Sequence, residues 1–391
     1  MNRPYLLLSV ILLFSSLQNY GQADNPNSRF PEIRILISKS QYSTLLQGKG
    51  QKLVLKKPVL IINHDTTVVR EVHSRGNNSL TFDQKSLSVD LENSFTVRNG
   101  GANVKIKKFN LLNLVMDKNL WHNRWAFLTM SEISIFPLYQ TFCTLWINDQ
   151  PQGIYLLVEK PHYYSDIKAK SPYMIRRGLN HTIDTEYIDA PSKEKSKKYR
   201  KQYRSLYEDI SRYKNEELYK RLNTGLVLDH YFDWLAFNYL IMNGDYADEV
   251  YLYILPESGQ FDVIPWDYDD IFKPNPHEGL QSRNAVASLK NKLIFSGEDP
   301  LDRAIASDPF VYQHYLGSFK KLLLALTPES LTRLSDQVKD ELLLLSDDQP
   351  ASNASCFLGK EPFQIINATE DMRLALDFVI KRRNALLKEM E

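Results

Sequence analysis

The stretch Asn238–Phe272, NYLIMNGDYADEVYLYILPESGQFDVIPWDYDDIF, organises the rest of the chain. It opens as the end of an amphipathic helix and breaks at Asn243-Gly244. Two strand-like runs follow, Val250–Leu255 and Gln260–Ile264, joined by Pro-Glu-Ser-Gly, whose residues favour a turn. A hairpin returns its far end close to its start. Asp245 and Asp248 before the first strand are therefore brought to the same edge as Asp267, Asp269 and Asp270 after the second. Carboxylates gathered in this way repel one another unless protons or a hard cation such as Mg2+ neutralise them.

The bulk of the chain gives these acids no global field to work in. Lys and Arg number 48 against 47 Asp and Glu in 391 residues. Such a balance recruits neither nucleic acid nor a membrane surface. The length suits one large domain or two closely packed lobes. Residues 1–23 combine Arg3, an apolar core Tyr5–Leu13 too short to span a bilayer, and a small-residue end at Ala23. This is the pattern of a secretory leader, so export to the periplasm, cell surface or medium is expected, with no later membrane span. The two cysteines, Cys143 and Cys356, leave a disulfide and two buried free thiols both open, and with eight scattered histidines they form no zinc pattern.

Upstream of the hairpin the pattern is mostly strand. Ile33–Ser38 reads as a strand and Gln41–Leu46 as a short helical turn. Lys52–Asn63 and Thr66–His73 read as a strand pair about Asn63-His64-Asp65. The donor-rich loop Arg75-Gly76-Asn77-Asn78-Ser79 precedes Lys85–Leu91, whose alternation puts Lys85 on one face with Leu87, Val89 and Leu91. That lysine either reaches solvent from an edge strand or enters a cleft to meet phosphate oxygens. Residues 93–108 read as a polar loop. Asp117 is a good N-cap for a helix through Trp121, Arg124 and Trp125, in which Arg124 needs a buried acceptor. Leu138–Asn148 and Gly153–Glu159 form another strand pair. The basic, Tyr-rich run Ser192–Arg204 reads as a solvated helix rather than a nucleic-acid patch, because acids follow closely. After a surface loop from Pro274, helices over Pro309–Leu326, Glu329–Ser346 and Thr369–Lys388 form scaffold.

Taken in order, RGNNS at Arg75–Ser79, KSLSVDL at Lys85–Leu91, LLNLVMD at Leu111–Asp117, INDQPQGIYLLVEKP at Ile147–Pro161, NGDYADEVYLYI and IPWDYDDIF resemble the spore-coat protein H (CotH) kinase family over about Arg29–Phe272. The resemblance implies a secreted, divergent protein-kinase-like α+β fold. Residues 24–160 would form an antiparallel β lobe with one helix, and 161–391 a larger, mainly helical lobe carrying the hairpin. It implies ATP and Mg2+ (or Mn2+) as cofactors and transfer of phosphate to a protein Ser/Thr hydroxyl, on an extracellular or envelope substrate. By the same resemblance Lys85 holds nucleotide phosphates, with Arg75, Asn78 and Ser79 near them, and Glu159 contacts the adenine or ribose. Asp245 orients the attacking hydroxyl, and Asp267, assisted by Asp269, holds the metal. The family tends to carry Asn before the Tyr-Leu-Tyr strand as a second metal ligand. Here Asp248-Glu249 stands in its place, so Glu249 or Asp248 replaces it as an oxygen ligand or the second metal is lost. Arg176 or Arg177 stands where the family's lysine after the lobe connection is usual. A nucleotide-binding pseudokinase or surface scaffold is the alternative function. A metal-dependent phosphoesterase is disfavoured by the lack of His among the acids.

Overall fold

The computed structural model describes residues 30–99, 102–188, 193–277, 289–358 and 361–390. The leader, Gly100-Gly101 and most of the loop after His277 lie outside them. Two sheets and a set of helices build an α+β molecule in two lobes. The first sheet has eight strands in the order β3-β2-β1-β7-β8-β6-β5-β4. They are β1 Glu32–Leu36, β2 Val59–Ile62, β3 Asp65–Thr67, β4 Val69–Ser74, β5 Leu87–Asn99, β6 Ala102–Leu112, β7 Gln140–Ile147 and β8 Gln150–Glu159. All neighbours are antiparallel except β1 and β7. Two helices belong to this lobe, α1 Lys39–Gln47 and α2 His122–Glu132, where the pattern suggested a turn and one helix.

Three departures from the sequence reading have simple causes. The second strand of the expected pair splits, so that β3 stays beside β2 while β4 pairs with β5 at the opposite edge. The segment 93–108 forms the arms of the long β5–β6 hairpin. Its Phe95, Val97, Val104 and Ile106 alternate with charged residues, and Val97 and Ile106 are buried, so a period-two signal was present inside a polar composition. Between the lobes, β9 Tyr173–Arg177 and β10 Ile183–Ile188 join the hairpin strands β11 Val250–Ile254 and β12 Phe261–Pro265 in a second sheet, ordered β10-β9-β11-β12. The hairpin itself stands where the sequence places it, with Val250 opposite Pro265 and Ile254 opposite Phe261.

The helices of the second lobe are α3 Lys193–Arg212, α4 Asn215–Gly225, α5 Leu228–Ile241, α6 Pro300–Ser307, α7 Pro309–Ala325, α8 Pro328–Ser346, α9 Gln349–Ala354 and α10 Ile365–Glu389. Alternation along β7 and β8 sorts the first sheet into two cores. Phe142, Ile154, Leu156 and Val158 join α2 and the helical lobe in the large core. Cys143, Leu145, Tyr155 and Leu157 face the smaller core with β1, β2 and β5. Cys143 and Cys356 are not joined in a disulfide.

The chain does not stay in one lobe after residue 160. Beyond α9 it returns to β8, where the Ser355 hydroxyl accepts from the Ile154 amide at 2.8 Å. Helix α8 packs on α2 through a buried ion pair. The Arg124 guanidinium donates from Nε and Nη2 to the two oxygens of Glu341 at 2.8 and 2.7 Å, and from Nη1 to the Gln140 carbonyl at 2.9 Å. Trp125 Nε1 adds a bond to Ser335 Oγ at 3.0 Å. This is the buried acceptor that Arg124 required. Removing one partner strands a charge away from water, so Glu341→Ala should cost about 3–5 kcal/mol. Urea unfolding of the two proteins measures it, and Arg124→Met/Glu341→Leu should recover much of the loss.

Candidate active site

Helix α5 ends at Met242 in the left-handed conformation, φ 53°, and the chain turns sharply into Asn243-Gly244-Asp245. The turn is held by side chains from the helix. Asn243 Nδ2 donates to Asn238 Oδ1 at 3.0 Å, and Asn243 Oδ1 accepts from the Asp245 amide at 3.1 Å. Gly244 is pressed against the loop that follows β12. Its amide donates to the Asp270 carbonyl at 2.9 Å, and a Cβ on it would lie 2.5 Å from Asp270 Oδ2 and 3.0 Å from Lys273 Cγ. The two acid-bearing loops are thus in backbone contact, as the hairpin geometry demands.

Around this contact the carboxylates crowd. Burial first, then the charge of Asp267, pushes Glu249 well above its ordinary range, although its oxygen pairs with Arg176 at 2.5 Å. Asp267, itself left-handed at φ 54°, is also raised by burial, against the pull of Arg75 and Arg176. Asp269 is raised well above its ordinary range by burial first, then by Asp267 and Asp117. Asp245 lies at the solvent-facing rim, yet the protein around it and the charges of Asp248 and Asp267 raise its carboxyl too. Asp270 is occupied by Lys273 at 2.9 Å and His277 at 2.5 Å. Beneath them, Asp117 is fully buried and pushed up to about 7 by burial, despite bonds from Asn123 and the His122 amide.

The donor chemistry fits a hard divalent cation, since every group is a carboxylate oxygen. No three acids or histidines among the described residues converge into a cage.

A cleft of about 310 Å³ opens next to the acids, under β4, β5 and β6 and against the second sheet. Arg75 joins the two spaces: it lines the cleft, its guanidinium lies 5.7 Å from the Trp266 ring, and its charge reaches Asp267. Lys160 enters the cleft from the end of β8, paired with Asp90, while Lys108 stands 3.5 Å from the other Asp90 oxygen. Ser88, Asn110, His73 and Tyr251 complete much of the wall. His162 and Tyr187 stack at 4.9 Å with rings 10° apart, a flat aromatic pair of the kind a nucleobase can join.

The nucleotide residues expected from the sequence divide on this geometry. Arg75 lines the cleft. Lys85 does not: its ammonium is buried against the Leu80 and Phe82 carbonyls at 2.7 and 2.5 Å. The reason is parity. Leu87, Val89 and Leu91, which share its face, pack into the smaller core, whereas the cleft face of β5 carries Ser88 and Asp90. Ser79 is turned back on its own loop, donating to the Arg75 carbonyl at 2.8 Å, and Asn78 is exposed outside the cleft. Glu159 is fully buried and paired with Lys168 at 2.6 Å, away from the cleft wall. The residue after it, Lys160, and the partner of that lysine, Asp90, were not singled out. Their signal was available in the alternation of KSLSVDL and in the Glu-Lys-Pro end of β8. Arg176 reaches the acids, while Arg177 is buried behind them, donating to the Ala247 carbonyl at 2.6 Å.

The close approach of Gly244 makes a simple expectation. Gly244→Ala should displace the Asp270 turn and weaken divalent-cation binding about 10–100-fold, a cost of the size seen when groups supporting metal ligands are lost. Titration with Mn2+ monitored by electron paramagnetic resonance reads it directly.

No curated protein matches the sequence. Among solved structures, the Helicobacter pylori proinflammatory kinase CtkA is similar at 11% identity, with 76% of this chain and 94% of that chain covered. Its TM-score of 0.36 is too low to transfer any residue between the two. The family model described as CotH kinase protein matches residues 72–384, starting later than the motif resemblance and running on through the closing helices, and the chain belongs to that family.

Proposed function

We propose that this protein is an exported phosphotransferase that moves the γ-phosphoryl group of ATP, with Mg2+ or Mn2+, onto Ser/Thr hydroxyls of extracellular or envelope proteins. The observation that carries the reading is that Arg75, which lines the cleft, also acts electrostatically on Asp267. An excess of carboxylates at the open end of the β11–β12 hairpin is thereby linked to a cleft whose wall carries Lys52, Arg75 and Lys160 beside Glu71 and Asp90, with a flat aromatic pair. Phosphoryl transfer needs little covalent chemistry from a protein beyond positioning and charge neutralisation. Asp267, assisted by Asp269, would hold the cation, which when bound neutralises phosphate charge, and Glu249 would join them on leaving Arg176. Arg75 and Lys160 would orient the triphosphate, and the acceptor hydroxyl would sit at the rim beside Asp245. As the new P–O bond forms and the bond to ADP breaks, the hydroxyl proton passes to the Asp245 carboxylate. Family membership supports kinase-type chemistry, and the leader pattern supports export. Among the described residues no helix is long and apolar enough to cross a membrane.

A second reading, nucleotide binding without turnover, is favoured by one observation. Glu249, standing where the family's Asn is usual, is tied to Arg176 at 2.5 Å, an arrangement that competes with a cation for its oxygens.

Calorimetric titration with ATP, with and without Mg2+, tests the proposal. Metal-dependent binding should be lost in Asp267→Ala and weakened about tenfold or more in Lys160→Met, consistent with a lost charge-assisted phosphate contact. Lys85→Met should lower thermal stability and leave the affinity of the folded protein unchanged. Absence of ATP binding in the intact, folded protein overturns the kinase reading, and binding without transfer to any hydroxyl selects the second one. The raised acids add a pH signature. Because Glu249, Asp267 and Asp269 hold protons more tightly than free carboxyls, cation binding should release protons and strengthen as pH rises towards neutrality. Titration in buffers of different ionisation enthalpy measures that release.

A further inference from the structure

Helix α2 meets the acid-bearing loop through His122, whose Nδ1 lies 3.3 Å from the Asp269 carbonyl, through Phe127, edge-on to Tyr268, and through Asn123, which bonds the loop backbone. Asn123 is 4% exposed, and its amide makes two bonds at once. Oδ1 accepts from the Tyr268 amide at 2.8 Å, and Nδ2 donates to Asp117 Oδ2 at 3.0 Å. Asp117 in turn accepts from the His122 and Asn123 amides, both at 2.8 Å, and so fixes the start of the helix. Tyr268 lies between Asp267 and Asp269, so the bond to its amide sets the path of the chain that presents both carboxylates. The same first turn of the helix is anchored by the Arg124–Glu341 pair and by Trp125 on Ser335. Few side chains could replace this one. An aspartate would set a second carboxylate against Asp117, and an aliphatic residue would leave the Tyr268 N–H buried without an acceptor.

We propose that Asn123 is a positioning residue for the cation-binding loop, transmitting the fixed placement of α2 to Asp267 and Asp269 through the Tyr268 amide. The proposal rests on the reading of these acids as cation ligands, and its test separates the two. Hydrogen exchange at the Tyr268 amide should accelerate at least tenfold in Asn123→Ala, while the Leu252 amide in the centre of β11 keeps its wild-type protection. Mn2+ affinity of the folded variant, read by electron paramagnetic resonance, should fall about 10–100-fold. A Tyr268 exchange rate that is unchanged, or that rises only in step with Leu252, overturns the proposal, because the first shows no dependence on Asn123 and the second only global destabilisation. Faster local exchange with undiminished Mn2+ affinity likewise overturns it. If Tyr268 loosens selectively and the wild-type protein binds no Mn2+, Asn123 positions the loop as proposed and it is the cation-dependent reading that falls.

Discussion

Mutual repulsion among carboxylates is the constraint on which the site depends. Asp245, Asp248, Glu249, Asp267 and Asp269 would not stay together in an unrestrained chain. Here backbone bonds hold their loops together, and Glu249 is also paired through its own oxygen with Arg176. The backbone ladder of β11 and β12 fixes the two loops in register, and Gly244 donates to the Asp270 carbonyl. Arg177 supports the first loop from behind through the Ala247 carbonyl, and Asn123 supports the second through the Tyr268 amide. The covalent and hydrogen-bonded frame carries the cost of concentrating negative charge, which leaves the charge itself available for a ligand.

The same division of labour explains the cations. A buried charge is costly unless paired, and several cations near the site have defined partners. Lys160 and Lys108 share Asp90 in the cleft wall, and Arg176 pairs with Glu249. Arg177 sits 3.7 Å from Asp299 and donates to the Tyr231 hydroxyl at 2.6 Å. Only some of these face the open space. Lys85 shows how a cation can be kept out of the cleft, by giving its donors to the Leu80 and Phe82 carbonyls.

The lobes are not independent bodies joined at residue 160. Helix α2 of the first lobe is bound to α8 of the second, and the segment after α9 runs back along β8. The acid-bearing loop therefore receives support from both sides of the cleft. Long-range contacts of this kind have no local sequence signature. The unexpected role of Asn123 and the pairing of Arg124 with a residue 217 positions away are of this type.

Local pattern by itself determined the hairpin, the gathering of acids at its open end and the amphipathic helices that close the chain, because turn residues and hydrophobic period act over a few residues. The motif order also indicated the family. Tertiary structure decided which side of each strand met the cleft. Lys85 and Ser88 lie three residues apart in one motif, yet strand parity sends them to opposite faces, and only the packing of Leu87 and Val89 into the smaller core settles which face is inside. It likewise decided that β4 would cross to the far edge of the sheet and that Lys160 rather than Glu159 would enter the cleft. Those outcomes depend on which surfaces find partners once the chain has folded, information that no residue carries alone.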